Sequence, residues 1–219
     1  MTDSDTDSKR RFIAAFFDDL DRKAAFLAEL WNGGRQDEAV TLCCCYLDGV
    51  ANNCRWDEAS SAKNFVVTVQ AFGGEPDLAL HSGLGLVRAL RAANKAALST
   101  LANDIDTALG TALPDLVSAE ELLRRLRGSL GQASYAAAKK HLWKGSVAAI
   151  AYNRVRSPFV HELRGYGAVI VGSTNTNGAH EVSLAFPLLH RVLTRLLATM
   201  RARSDDSVKW FGHDYRNAP

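Results

Sequence analysis

The sequence predicts a mainly α protein: an irregular helical bundle with a small β-hairpin before its C-terminal helix. Three observations predict it. Apolar residues recur at helical spacing through most of the chain as far as Val155. After Gly165 the pattern changes to short β-type runs around a turn. From Pro187 a long apolar stripe at helical spacing resumes.

The elements follow in order. Phe12, Phe16, Leu20, Leu27 and Trp31 mark one face of a long first helix, which "NGG" (Asn32–Gly34) ends. A second helix starts near Gln36–Asp37 and buries Val40, Cys43, Cys44, Leu47 and Val50. A third begins at Ser60–Ser61, carries Phe65, Val66 and Val69, and stops at Gly73–Gly74. The Leu- and Ala-rich stretch from Glu75 to Leu109 reads as one or two further helical segments. "SAEE" at Ser118–Glu121 is a capping box that opens a short basic helix. The next helix runs from Gln132 to Val155 with a break expected at Gly145. "YGAVIVGS" and "AHEVSLAF" flank "NTNG", a hairpin turn, with Val182, Leu184 and Phe186 on one side. Leu188, Leu189, Val192, Leu193, Leu196, Leu197 and Met200 form the stripe of the last helix; Arg191, Arg195 and Arg201 lie opposite. One domain is expected over residues 9–203, with a disordered tail at 1–8 and a polar tail at 204–219.

Composition narrows the class. The 219 residues are 47% hydrophobic and 23% charged, as in ordinary globular chains. No apolar run approaches the ~20 residues of a membrane span, so no membrane partner is expected. "MTDSDTDSKR" lacks the apolar stretch of a secretory signal, which points to the cytoplasm. Net charge is +2 but unevenly placed: residues 1–121 carry 11 basic and 19 acidic residues, and residues 122–219 carry 15 and 5. From Leu122 to Arg164 there are nine basic residues and one acid, Glu162. The asymmetry fits a polyanion-facing side, or two halves that neutralise each other in the fold.

The motifs that exclude chemistry come next. Cys43, Cys44 and Cys45 are consecutive, and adjacent helical residues point about 100° apart, so they cannot ligate one metal together. Small apolar thiols on a buried helix are the preferred reading, zinc the lesser one. "GLG" at Gly83–Gly85 has no predicted strand before it and lacks a third glycine, so it is no nucleotide loop. "HELRG" at His161 lacks the second histidine of a zinc protease. No cofactor and no metal ligand set is expected.

What remains is "AYNRVRSPFVHELRG", Ala151 to Gly165. Tyr152 and Arg156 are four apart and share a helical face. Pro158 removes a backbone donor and disfavours helix at Ser157, so the helix should kink or restart there. Arginine can hold a phosphate with two parallel hydrogen bonds, and histidine can move a proton near neutral pH.

Arg156-Ser-Pro-Phe-Val-His161 matches R-x-x-x-x-H, and in this the chain resembles HEPN domains, which are α-helical bundles. One bacterial HEPN-like group is similar around it, with an aromatic a turn before the arginine (Tyr152) and a "VHE" continuation (Val160–Glu162). A β-hairpin and a final amphipathic helix follow in that group, and "CYLDGVA" (Cys45–Ala51) resembles its second helix. The resemblance spans most of the chain. It implies a metal-independent endoribonuclease, often of a toxin–antitoxin or defence system, and a homodimer whose two motifs share one cleft. By that resemblance Arg156 would polarise the scissile phosphate and His161 would act as general base or acid. Tyr152, Ser157 and Glu162 would support them, and Arg154, Arg164 and Lys144 would hold RNA. Arg154 is an alternative motif arginine, at a looser spacing from His161. One departure stands out: Ser157 occupies the place where active members carry Asn, Asp or His. The alternative is therefore a non-catalytic helical module that binds RNA or a cognate partner protein.

Overall fold

A computed structural model of the chain describes residues 3–54, 60–110, 116–156, 168–172 and 181–207. Its helices are α1 (Asp3–Asn32), α2 (Gln36–Cys54), α3 (Ser61–Phe72), α4 (Gly83–Ala92), α5 (Ala96–Leu109), α6 (Ala119–Arg127), α7 (Gln132–His141), α8 (Val147–Ala151) and α9 (Phe186–Ser207). Short 3-10 turns cover Pro76–Ala79 and Leu142–Gly145, and a π-type turn covers Tyr152–Arg156. Two small antiparallel sheets complete it. Strand β1 (His81–Ser82) pairs with β2 (Leu116–Val117), and β3 (Ala168–Gly172) with β4 (Glu181–Ala185). The protein is mainly helical, with the β-hairpin immediately before the last helix.

The expected stripes of α2 and α9 are buried throughout, because each packs on several neighbours: α9 lies against α1, α2 and α3. Val182, Leu184 and Phe186 point inward together. The hairpin register runs from Ala168 opposite Ala185 to Gly172 opposite Glu181. The expected Asn-Gly turn lies outside the described residues.

Several expectations are corrected. Helix α1 starts at Asp3, inside the stretch expected as a tail. Lys9 reaches Asp5 at 3.1 Å and Arg10 reaches Asp7 at 3.8 Å, and acidic residues at a helix N-terminus oppose its dipole favourably. At the other end α9 runs to Ser207, past the expected boundary at Ser204. Of the expected α1 stripe, Leu27 is buried and Phe16, Leu20 and Trp31 pack partly buried on the core, but Phe12 is 68% exposed, and Ile13 and Phe17 face the core beside them. Cys43, Cys44 and Cys54 are buried, as small apolar residues should be, but Cys45 is exposed. Burial, with Cys44 adding to it, raises the Cys43 thiol well above its usual range, which keeps it protonated. A two-residue strand, β1, does precede Gly83. Its partners come from far along the chain: Leu116 and Val117 of β2, and Ser146.

Two cores result. The first gathers α1, α2, α3, α8, the hairpin and α9. The second, around Leu86, Leu90, Ile105, Leu122 and Leu126, is built by α4 to α7. Ser134 Oγ donates to Asp104 Oδ2 at 3.0 Å, and Arg91 reaches Asp106 at 2.7 Å, so α5 is tied to both α7 and α4. The chain enters the second core beside where it leaves it: His81 bridges to Ser146, and Val147 N donates to Leu80 O at 2.8 Å.

The charge asymmetry is partly internal. Arg191 and Arg195 of α9 both reach Glu75, at 3.2 and 2.8 Å, and Arg201 reaches Asp18 and Asp21. These pairs join the basic half to the acidic half. Arg124 and Arg125 close locally on Glu121. Ser118 Oγ accepts from Glu121 N at 3.1 Å as the capping box requires, while the Glu121 carboxylate turns to the arginines.

Candidate functional site: a basic cavity at the seam of the two cores

The helix that leads to the motif breaks where its sequence says it must. Gly145 allows the close approach of two backbones: a Cβ there would lie 2.8 Å from Leu86 Cβ and 3.0 Å from Ser82 O. Ser146 restarts the helix, accepting from Ala149 N at 3.1 Å and donating to Trp143 O at 2.8 Å. Helix α8 then lasts five residues before the backbone widens into the π-type turn Tyr152–Arg156. An α-helix continued past it would need an N–H from Pro158 for the Arg154 carbonyl, which proline lacks. Such widened turns occur often at functional sites.

Of the predicted site residues, Lys144, Tyr152, Arg154 and Arg156 lie among the described residues. Tyr152 is 9% exposed, with its ring 5.3 Å from that of Phe65, so it packs into the first core rather than lining an open site. Arg156 closes the π-type turn. Ser157, His161, Glu162 and Arg164 lie outside the described residues. Arg154 and Lys144 come together as lining residues of one cavity of about 640 Å³.

That cavity sits on the seam between the cores. α4 forms one wall, the 3-10 turn 142–145 and α8 another, with Val171 of β3 and the start of α3 closing it. Arg88, Lys144 and Arg154 bring a positive charge from three separate elements. No carboxylate is among the described residues that line it. The N-termini of α3 and α4 open on it through their caps. Ser60 Oγ accepts from Lys63 N at 3.3 Å and Ser82 Oγ from Gly85 N at 3.0 Å. Each helix start adds partial positive charge to the same space. Gly85 faces the cavity where a Cβ would meet Ile150 Cδ1 at 2.8 Å.

His141 is held below the ordinary histidine range, first by burial and then by the charges of Lys144 and Lys140. His81, 6% exposed and next to the cavity residue Ser82, is lowered by burial, against a backbone hydrogen bond at Ala79. Its Nδ1 has no hydrogen-bond partner among the described residues.

Arg88, Trp143 and Asn153 are cavity residues that motif reading missed. Their signal was weak: one arginine in the middle of an apolar helix, and an aromatic–lysine pair just before a helix-breaking glycine. The Lys144 ammonium lies 4.7 Å from the Trp143 ring centroid. Asn153 Nδ2 donates to Ala149 O at 2.9 Å, which fixes the amide at the cavity edge. Chemically, the arrangement can hold a polyanion that also carries a planar or apolar part. Among the described residues no helix is long and apolar enough to cross a membrane. Compared with known protein families, with curated proteins and with solved structures, the chain gives no match.

Proposed function

We propose that the chain is a metal-independent RNA endonuclease of the HEPN-like type, serving as a toxin or defence component. The observation that carries the reading is the cavity where Arg88, Lys144 and Arg154 meet with no carboxylate among the described lining residues, and which adjoins the π-type turn where the R-x-x-x-x-H stretch begins. A site for phosphates beside that motif is what an RNA-cutting protein needs. In this reading Arg156 holds the scissile phosphate and His161 takes the proton of the RNA 2′-hydroxyl. The 2′ oxygen attacks phosphorus, the P–O5′ bond breaks, and the departing 5′ oxygen gains a proton. The products are a 2′,3′-cyclic phosphate and a 5′-hydroxyl. Lys144, Arg154 and Arg164 hold flanking phosphates, and two protomers pair so that their motifs face one cleft.

A second reading, a non-catalytic RNA- or protein-binding module, is favoured by two observations. Ser157 follows Arg156 where an orienting Asn, Asp or His is usual, and the Tyr152 ring is used up in packing against Phe65. Incubating the protein with total RNA, beside Arg156→Ala and His161→Ala, decides between them. The nuclease reading expects cleavage by wild type alone, with cyclic-phosphate ends. Equal survival of RNA in all three samples across pH and salt supports the binding module. Sedimentation at micromolar concentration tests the pairing; a monomer throughout removes the shared cleft.

A further inference from the structure

The exposed aromatic rings gather on one helix. Among the described residues, the large hydrophobic side chains that stand exposed are Phe12, at 68%, and Phe26, at 46%, and both belong to α1. Single exposed apolar residues are ordinary on a protein surface. These two are fourteen positions apart, which at about 100° per residue returns them to within about 40° of one direction. Phe12, Asp19, Lys23 and Phe26 therefore form one stripe about 20 Å long, turned away from the buried Ile13, Phe17 and Ala24. At its middle the Asp19 carboxylate holds Lys23 at 2.6 Å and Arg22 at 3.4 Å.

The stripe is symmetrical about that middle. Asp19 lies midway between Phe12 and Phe26. It also lies midway between Lys9 and Glu29, which are exposed on its two flanks, about 80° to either side. A two-fold axis through Asp19, perpendicular to α1, would set each Phe12 on the second copy's Phe26. The same rotation sets each Lys9 on the second copy's Glu29 and each Phe16 on the second copy's Arg22. The two Asp19 carboxylates then meet at the axis with two Lys23 ammoniums and two Arg22 guanidiniums around them. Closed dimers need a patch that is complementary to itself in this way. A parallel pairing would instead oppose Lys9, Arg10 and Arg11 to the same three cations.

We propose that α1 is a self-association face, on which a second copy of this chain docks antiparallel about an axis at Asp19. The face carries none of the R-x-x-x-x-H residues, so this contact is separate from any pairing of the motifs and stands without the ribonuclease reading.

Oxidative cross-linking and sedimentation test it. Asp19→Cys, in a Cys45→Ser background that removes the exposed native thiol, should give a disulfide-linked dimer under a mild oxidant, because a residue on the axis meets its own copy. Thr100→Cys, exposed on α5, should stay unlinked in the same background. The wild type should self-associate as concentration rises from micromolar to hundreds of micromolar. Phe12→Glu and Phe26→Glu should each weaken the association about tenfold or more, with circular dichroism unchanged. Lys9→Glu and Glu29→Lys should each weaken it, and the two combined should restore it, a rescue that a purely structural role would not give. Self-association indifferent to Phe12 and Phe26 overturns the proposal and leaves the pairing of motifs standing. Equal cross-linking of the Asp19→Cys and Thr100→Cys variants overturns it too. A wild type that is monomeric throughout also overturns it, and gives the face to a different protein.

Discussion

The ammonium of Lys144 sits 4.7 Å from the centroid of the neighbouring Trp143 ring, on the wall of the seam cavity. The two residues are adjacent in sequence, and the 3-10 turn at Leu142–Gly145 holds them together. A partly exposed cation–π contact contributes roughly 0.5–1 kcal/mol. Lys144→Met should therefore cost less than about 1 kcal/mol of stability while changing the Trp143 emission. Denaturant unfolding and fluorescence, with Trp143→Phe to identify the signal, check both. A loss of several kcal/mol would show that Lys144 is structural.

Glu75 is the hub that fastens α9. Its side chain is only 13% exposed, and it receives Arg191 at 3.2 Å and Arg195 at 2.8 Å. Arg195 also donates to Gly74 O at 2.6 Å, at a residue whose φ of 64° suits glycine. Glu75→Ala should destabilise by about 1–3 kcal/mol, since the arginines keep partial access to water. A double-mutant cycle with Arg195→Ala should return a positive coupling. Additive losses would show that the pair contributes nothing beyond its two members.

The break before α8 has its own test. Gly145→Ala places a methyl against Leu86 Cβ and the Ser82 carbonyl, both held by backbone, and should cost about 1–3 kcal/mol. Gly85→Ala meets the movable tip of Ile150 and gains helix propensity, so it should cost less. Thermal melts of the two variants side by side check the order.

Acid should weaken the fold in two windows. Glu121 is held at about 2, against 4.5 for a free glutamate, first by the Arg124 hydrogen bonds and then by that of Arg125. Its contribution is present above 4.5 and is lost as pH falls through about 2. His81 is lowered from 6.5 by burial, so the unfolded chain takes up its proton first. Its contribution is present above 6.5 and is lost as pH falls through the lowered value. Urea unfolding across pH should show Glu121→Gln flattening the lower window and His81→Gln the upper. Parallel curves for wild type and a variant would remove that residue from the account.

Periodicity made much of this fold legible. The stripes of α2 and α9, the caps at Ser60 and Ser118 and the inward side of the second hairpin strand all rest on local sequence, and all were readable from it. The exposure of Phe12 was not, because neighbouring helical residues point about 100° apart and Ile13 takes the core position at that end of the stripe. Strand β1 was not, because two residues carry no pattern of their own and their partners, Val117 and Ser146, are distant. Of the candidate site, Lys144 and Arg154 were named from charge. Their meeting with Arg88 depends on α4 crossing the 3-10 turn, a tertiary fact with no spacing rule behind it.

The bridge between His81 and Ser146 has a consequence for how this gene could be edited. Everything from Gly83 to Gly145 is a parenthesis in the first core, opened and closed at backbone sites already hydrogen-bonded to each other. A substitute cassette would have to match that pair of neighbouring ends and supply a strand to pair with β1, as Leu116–Val117 do here. With it would go Arg88, Trp143 and Lys144, three of the cavity's lining residues, while Arg154 and the motif beyond it stayed in place. The recognition surface is thus exchangeable separately from the segment beside it.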